Sequence, residues 1–213
     1  SHVWNIPIVP CNHMEGHVLT ALIEKEKAGD YKLLDKKISY PALSLLISGG
    51  HTQIVLVEKI GNYKIVGETR DDAVGECFDK IARTLGLPYP GGPIISKLAR
   101  EAREKGITSP EPLPRPLIKS NDMDFSFSGL KTSVLYLTQR LKEKNVPLDN
   151  TMVSGIAREA EDAITDVIVA KMKKAFLLSI SAIFLVLLIA LSFSITKDID
   201  IAENKISATA TRI

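Results

Sequence analysis

Residues 53–93 read QIVLVEKIGNYKIVGETRDDAVGECFDKIARTLGLPYPGGP, and the fold class turns on where the pattern inside them changes. QIVLVEK and YKIVGET are short runs rich in β-branched residues, and Gly61-Asn62 between them predicts a hairpin. From Asp71 to Leu85 the pattern becomes helical. Val74, Phe78, Ile81, Ala82 and Leu85 fall on one stripe, with Asp71 or Asp72 placed to cap the entry. Leu87-Pro88-Tyr89-Pro90-Gly91-Gly92-Pro93 then stops the helix, because its prolines withhold amide donors and its glycines favour turns.

Working outward, Leu43 to Ser48 reads as a third strand, joined to QIVLVEK through Ser48-Gly49-Gly50-His51. Upstream, Val18, Leu19, Leu22 and Ile23 give residues 14–28 a helical spacing that closes at Gly29, with His13 and His17 on its first turns. VWNIPIVP before it is a short apolar run ending at Pro10. Downstream, a helix is expected from Ile94 to Lys105, then an extended PEPLPRPL loop. Two more helices are expected, one led in by DFSFSG with Ser126 or Ser128 as its cap and ending near Lys144, the other over residues 151–175. Strands and helices alternating unevenly indicate an α/β or α+β chain, without internal repeats.

The 213 residues are 45% hydrophobic and 24% charged, which excludes a disordered, collagenous or disulfide-stapled chain. Lys and Arg number 27 against 25 Asp and Glu, so no global field recruits a polyanion, and a nucleic-acid surface must be local. One region qualifies: Lys97, Arg100, Arg103, Lys105, Arg115 and Lys119 outnumber Glu101, Glu104 and Glu111. A solvated helix face explains that excess about as well as RNA does, and no interleaved aromatic residues offer stacking to bases. Two cysteines, Cys11 and Cys77, build neither a disulfide framework nor a zinc-thiolate site, and the N-terminus lacks a secretory signal, so a cytoplasmic location is expected. The run FLLSISAIFLVLLIALSFSI, residues 176–195, carries no charge over twenty residues and is long enough to cross a bilayer as a helix.

His13-Met14-Glu15-Gly16-His17 is the sharpest chemical signal, since histidines at i and i+4 on a helix are vertical neighbours that can share one metal ion. The alternative is that one of them caps or hydrogen-bonds locally. At about 100° per residue, Glu15 lies some 200° from His13, facing away from the imidazoles, where the general base of a metallopeptidase cannot sit. Ser48-Gly49-Gly50-His51-Thr52 is either a plain turn or a loop whose backbone N–H groups meet phosphate or carboxylate oxygens. Asp79, inside the predicted helix, either binds a ribose or is merely solvated. Asp124 to Thr132 superficially resembles a phosphate-binding loop, but Leu130 parts Gly129 from Lys131 and the upstream glycine is missing. Cys77 is read as a buried helix residue rather than a nucleophile.

NHMEGH, LLISGGHTQ, GETRDDAVGECFDKIARTLGLPYPGGP and DFSFSGLKT, in this order and at these separations, resemble the bacterial tRNA adenosine threonylcarbamoyltransferases, a family once labelled glycoproteases. The resemblance implies an α/β fold of the actin and sugar-kinase-like kind, two lobes about a nucleotide cleft, incomplete here at both ends. It implies transfer of a threonylcarbamoyl group from threonylcarbamoyl-AMP to N6 of the adenosine 3′ of the anticodon, in tRNAs reading codons that begin with A. By position, His13 and His17 match the family's histidine metal ligands, with Fe2+ or Zn2+ expected. Leu46, Ile47, Ser48, Gly49, Gly50, Asp79 and Gly92 match its substrate contacts. No catalytic residue is assigned. Partners are expected to be tRNA and the other proteins of the modification complex.

The resemblance is followed from residue 3 to about 176, so residues 1–176 are expected to be a transferase-like region with a truncated first lobe and part of the second. The family's Gly-Gly-Val-x-Ala-Asn turn and third-ligand aspartate are not found after Phe176. Residues 177–195 are read as a transmembrane helix or a frame-shift product, giving a membrane contact only in the first case, and 196–213 as a disordered tail. The rival functional readings are a catalytically silent binding fragment of the complex and, below it, a metallopeptidase.

Overall fold

The computed structural model describes residues 7, 9–21, 23–25, 31–33 and 39–210, with 24, 25, 31–33 and 182–210 as backbone alone. The chain divides into two compact units, Ser1–Met172 and Lys173–Ile213.

The first unit is mixed α/β. Strands β3 (Ala42–Ile47), β4 (Thr52–Lys59) and β5 (Asn62–Glu68) form an antiparallel sheet in the order β3-β4-β5. The three expected strands are all present. The hairpin closes at Lys59 opposite Asn62, which makes Ile60-Gly61 the turn, one residue earlier than expected, with Gly61 at φ 81°. β4 is central and buried on both faces. Val55 and Val57 join Val18 and Leu46 in one apolar cluster, while Ile54, pointing the other way along the period-two strand, is fully buried.

Helix α1 (His13–Thr20) packs on that first face through Val18 and Met14. It stops eight residues short of the expected end. Asn12 caps its start, accepting from the N–H of Met14 at 3.0 Å, and Ile23 pairs with Leu33 between two short strands, β1 (Ile23–Lys25) and β2 (Tyr31–Leu33). A β-branched residue such as Ile23 loses rotamer freedom in a helix and fits a strand, so tertiary pairing overrides the apolar spacing. Residues 26–30, where the helix was expected to close, lie outside the described residues, as does most of the run before Pro10.

Four helices complete the unit: α2 (Val74–Thr84), α3 (Gly91–Glu104), α4 (Ser128–Glu143) and the first part of α5 (Asn150–Ala210). Ile81, Ile95, Ala99, Leu130, Val134, Ile156, Ala160 and Val167 are buried between them, with Phe125 and Phe127 stacked at 5.9 Å between ring centroids. The helix entries differ from expectation in an informative way. Neither Asp71 nor Asp72 caps α2; the N–H of Val74 donates instead to the buried Thr52 hydroxyl at 2.9 Å. Neither Ser126 nor Ser128 caps α4. Asp71 does so from a distance, accepting from the N–H groups of Phe127 (2.7 Å) and Ser128 (3.1 Å) and from the hydroxyls of Ser126 (2.6 Å) and Ser128 (2.7 Å). Local sequence identifies good capping residues but not the helix that receives them.

In the second unit α5 runs on to Ala210. Its backbone is helical over 196–210, and IAENKISATA has no proline or glycine to stop a helix. Ser179 and Ser181 turn their hydroxyls back onto the carbonyls of Ala175 and Leu177, so these two hydroxyls are satisfied within the helix. Most side chains of 177–195 lie outside the described residues, and among the described residues no helix is long and apolar enough to cross a membrane.

Candidate functional site

His13 and His17 stand one turn apart on α1, both exposed, with their Nε2 atoms 3.1 Å apart. Two imidazole nitrogens aimed at one another cannot both carry a proton there, so one donates to the other or an ion lies between them. An ion at the usual ~2.1 Å from each would see them at about 95°, which suits first-row coordination, so the pair fits a metal as two of its ligands. Among the described residues no group of three potential ligands is assembled. The ring of His51 lies 5.7 Å from that of His13, which brings the β3–β4 loop to the pair. Glu15 faces the opposite way, as its helical position requires, and accepts a hydrogen bond from the Tyr63 hydroxyl at 3.0 Å. Partial burial, together with that carboxylate, raises the Tyr63 phenol above its ordinary value.

The Ser48–His51 loop is closed by Ser48. Its hydroxyl accepts from the N–H groups of Gly50 (3.3 Å) and His51 (3.0 Å), and its own N–H donates to the His51 carbonyl at 2.9 Å. Of the two glycine N–H groups, that of Gly49 is left without a hydrogen bond among the described residues. A Cβ added to Gly49 or Gly50 would meet nothing within 4 Å, so the outer face of the loop is open to a ligand. Leu46, in the same segment, turns its side chain into the core, and only its backbone faces this region; Ile47 is half-exposed.

The loop rests on the first turn of α2, where the N–H of Gly75 donates to the Ser48 carbonyl at 3.3 Å. A Cβ at Gly75 would fall 2.8 Å from the Gly49 Cα, so glycine permits the approach. Asp79 is four residues further along α2 and therefore on the same face. Its Oδ1 accepts from the N–H of Gly91 at 2.7 Å and so caps α3, which starts three residues before its expected position; Gly92 sits beside it, against the Phe78 Cβ. Asp79 is thus neither free nor simply solvated. One oxygen is structural, and the other takes no hydrogen bond among the described residues. The glycine loop, Asp79 and Gly92 follow one another along this edge of α2, and His51 links the loop to the histidine pair.

One further network, centred on Asp72, braces α2. Lys80 lies 2.7 Å from Asp72 Oδ1, and Lys131 on α4 lies 2.7 Å from Asp72 Oδ2, an ion pair rather than an aligned hydrogen bond. Burial raises the Asp72 carboxyl, but the two lysines outweigh it and leave it below the ordinary range. Cys77 is fully buried, and desolvation, with Asp72 nearby, pushes its thiol up to about 12. The native protein should therefore yield one rapid equivalent of thiol to an aromatic disulfide reagent, from exposed Cys11, and the second only on unfolding.

The regional basic excess is partly spent inside the fold. Arg103 pairs with Glu161 (2.6 Å) and Asp162 (2.5 Å), and Arg115 with Glu159 and Asp166. Lys97, Arg100, Lys105 and Lys119 carry no such partner among the described residues. Sequence reasoning missed His51 as a neighbour of the histidine pair and Asp71 as a remote cap; for His51 the available signal was its place beside Gly49-Gly50, for Asp71 there was none.

A family model described as tRNA N6-adenosine threonylcarbamoyltransferase matches residues 1–206, reaching past Phe176, where the motif resemblance was placed to end. Proteins carrying that name are similar to the chain. That of Chromobacterium violaceum is 46% identical over 167 residues, 78% of the chain and 45% of the relative. Those of Polynucleobacter asymbioticus and Streptococcus suis are 45% and 42% identical, each across 80% of the chain and 45% of the relative. The chain thus spans about half the length of these relatives. Matched by this family model over most of its length and by relatives of 42–46% identity, the chain belongs to the tRNA N6-adenosine threonylcarbamoyltransferase family.

Proposed function

We propose that the chain takes part in transferring a threonylcarbamoyl group from threonylcarbamoyl-AMP to N6 of the adenosine 3′ of the anticodon, in tRNAs reading codons that begin with A. The observation that supports this most is the Ser48–His51 loop, with His13 and His17 beside it, seated on the edge of α2 that carries Asp79 and Gly92, in a chain of this family. In the reaction the N6 amine attacks the carbamoyl carbon. A C–N bond forms, the bond from that carbon to the phosphate oxygen breaks, AMP leaves and the amine loses a proton.

The residues divide the work. His13 and His17 hold a divalent ion, Fe2+ or Zn2+, whose contribution when bound is Lewis-acid polarisation and a fixed template. Gly49 offers its N–H to an anionic or carbonyl oxygen of the donor, and the missing side chains at 49 and 50 admit it closely. Asp79 accepts from a donor hydroxyl, such as that of a ribose, with the oxygen that α3 does not use. Fixing the donor in this way is a proximity effect, and it requires no side chain to act as nucleophile. We place the protein in the cytoplasm, working with tRNA and the other proteins of the modification complex.

The test combines the protein with those partners, threonylcarbamoyl-AMP and tRNA, and counts modified adenosine by mass spectrometry. Product is expected. Donor binding without product would instead support the silent binding fragment. His13→Ala and His17→Ala should each lower bound metal at least about tenfold by elemental analysis, since one imidazole does not chelate. Glu15→Gln should leave metal content and product unchanged, and any peptide cleavage that it abolishes would revive the peptidase.

A further inference from the structure

The face of α2 next to Asp79 carries a feature that the proposed donor site does not use. Lys80, Arg83 and Thr84 of α2 and Lys131, Thr132 and Leu135 of α4 line a cavity of about 190 Å3. Thr84 also lines a second cavity of about 530 Å3, which continues past Gln139 and Lys142 to the turn after α4. The α4 contributions fall at 131, 132, 135, 138, 139 and 142, a single helical stripe, so the two cavities form one groove along α2 and α4. Four cations line it. No lining residue among those described is acidic or aromatic.

Not all of that charge is available. Lys80 is held by Asp72 and Glu76, and Lys131 by Asp72, beneath the groove. Arg83 and Lys142 are exposed and have no partner among the described residues. Both occupy the last turn of a helix, where a cation ordinarily complements free carbonyls. Here the carbonyls are already taken. Leu85, Gly86 and Leu87 donate to the end of α2, and Lys144, Asn145 and Val146 to the end of α4, each closed by a left-handed residue, Gly86 at φ 73° and Asn145 at φ 52°. The two side chains therefore serve neither a salt bridge nor a cap.

Resting on the transferase reading above, we propose that this groove holds the phosphate backbone of the RNA substrate. An elongated channel with cations and hydroxyl or amide donors, but no aromatic platform, suits phosphates rather than bases. It begins at Lys80, the residue after Asp79, so a strand lying in it delivers its neighbouring nucleotide to the donor site. The basic face of α3, with its paired Arg103, is the secondary surface.

The experiment measures binding of a fluorescent anticodon stem–loop RNA to the full chain over a salt series. Arg83→Ala with Lys142→Ala should weaken binding about tenfold or more at low salt and flatten the logarithmic salt slope by roughly 1.4–1.8, at 0.7–0.9 per lost phosphate contact. Arg83→Lys with Lys142→Arg should restore it. Lys97→Ala, on α3, with Lys105→Ala, at its C-cap, should cost less. The proposal is overturned if the groove pair binds as the parent does, if the α3 pair loses as much, or if inorganic pyrophosphate fills the groove as tightly as RNA. A parent chain that binds no RNA removes the transferase reading and the groove together, whereas RNA binding indifferent to Arg83 and Lys142 removes only the groove.

Discussion

Asp71→Ala should destabilise the first unit by about 2 kcal/mol, the upper end for loss of a helix cap, although residue 71 is on the surface. The carboxylate accepts four hydrogen bonds from Ser126, Phe127 and Ser128 and so ties the start of α4 to the entry of α2, beside the Lys131–Asp72 ion pair. Solvent can replace part of this, which is why the figure is not the sum of four charge-assisted bonds. Asp71→Asn, which keeps one acceptor, should lose about half as much. Urea titration of the two variants against the parent measures both.

The same group sets a pH dependence whose sign is fixed. Partial burial raises the Asp71 carboxyl, but the hydrogen bonds from Ser126, Phe127 and Ser128 outweigh it and hold it below its ordinary value. Its contribution is therefore complete above the unfolded-state value and is lost as pH falls through the lower folded one. Asp72 acts in the same direction, and Asp122, held first by the Ser120 hydroxyl, lies at about 2. Stability should fall steeply from about pH 4 towards 2, and in Asp71→Ala that fall should be shallower. An equally steep acid limb in the variant would show that Asp71 titrates without consequence for folding.

These caps also mark the limit of what the chain discloses before it folds. Strands β3 to β5, helices α2 to α4 and the first part of α5 are legible because each carries its own local periodicity. The histidine pair is legible for the same reason, since i and i+4 is a local geometry, and Glu15 facing Tyr63 follows from the same arithmetic. What failed was long-range. The α1 pattern continues through Ile23, but pairing with Leu33, ten residues away, ends the helix first. Asp71 looks like a cap for the helix it precedes, yet serves one 57 residues later, because its own helix is capped by Thr52 from the sheet. Asp79 reads as a surface residue of α2 until the turn at 87–90 brings Gly91 back over it. A propensity records which residue can cap, whereas the tertiary fold decides what it caps.

Gly75→Ala puts the contact between α2 and the glycine loop to its strongest test. In a free helix this exchange gains about 1 kcal/mol, so packing must overcome that gain before any loss is seen. A Cβ at 75 would lie 2.8 Å from both the Ser48 carbonyl oxygen and the Gly49 Cα, which are backbone atoms and cannot rotate aside. The loop must lift by more than half an ångström to restore ordinary contact near 3.5 Å, and overpacking of this kind costs about 1–3 kcal/mol. The bond from Gly75 to Ser48 breaks, and the Gly49 N–H moves relative to Asp79. A displacement approaching 1 Å can cost on the order of 100-fold in a reaction that depends on position, so threonylcarbamoyl transfer should fall far more than stability does. Gly49→Ala is the control. Its Cβ meets nothing within 4 Å among the described residues and its backbone is not left-handed, so folding should be unchanged. Donor affinity, measured by calorimetry, should nonetheless fall, because the added methyl occupies the open face of the loop. If Gly75→Ala is stabilised and binds donor normally, the loop does not depend on its seat against α2. If Gly49→Ala binds as the parent does, the open face is not where the donor lies.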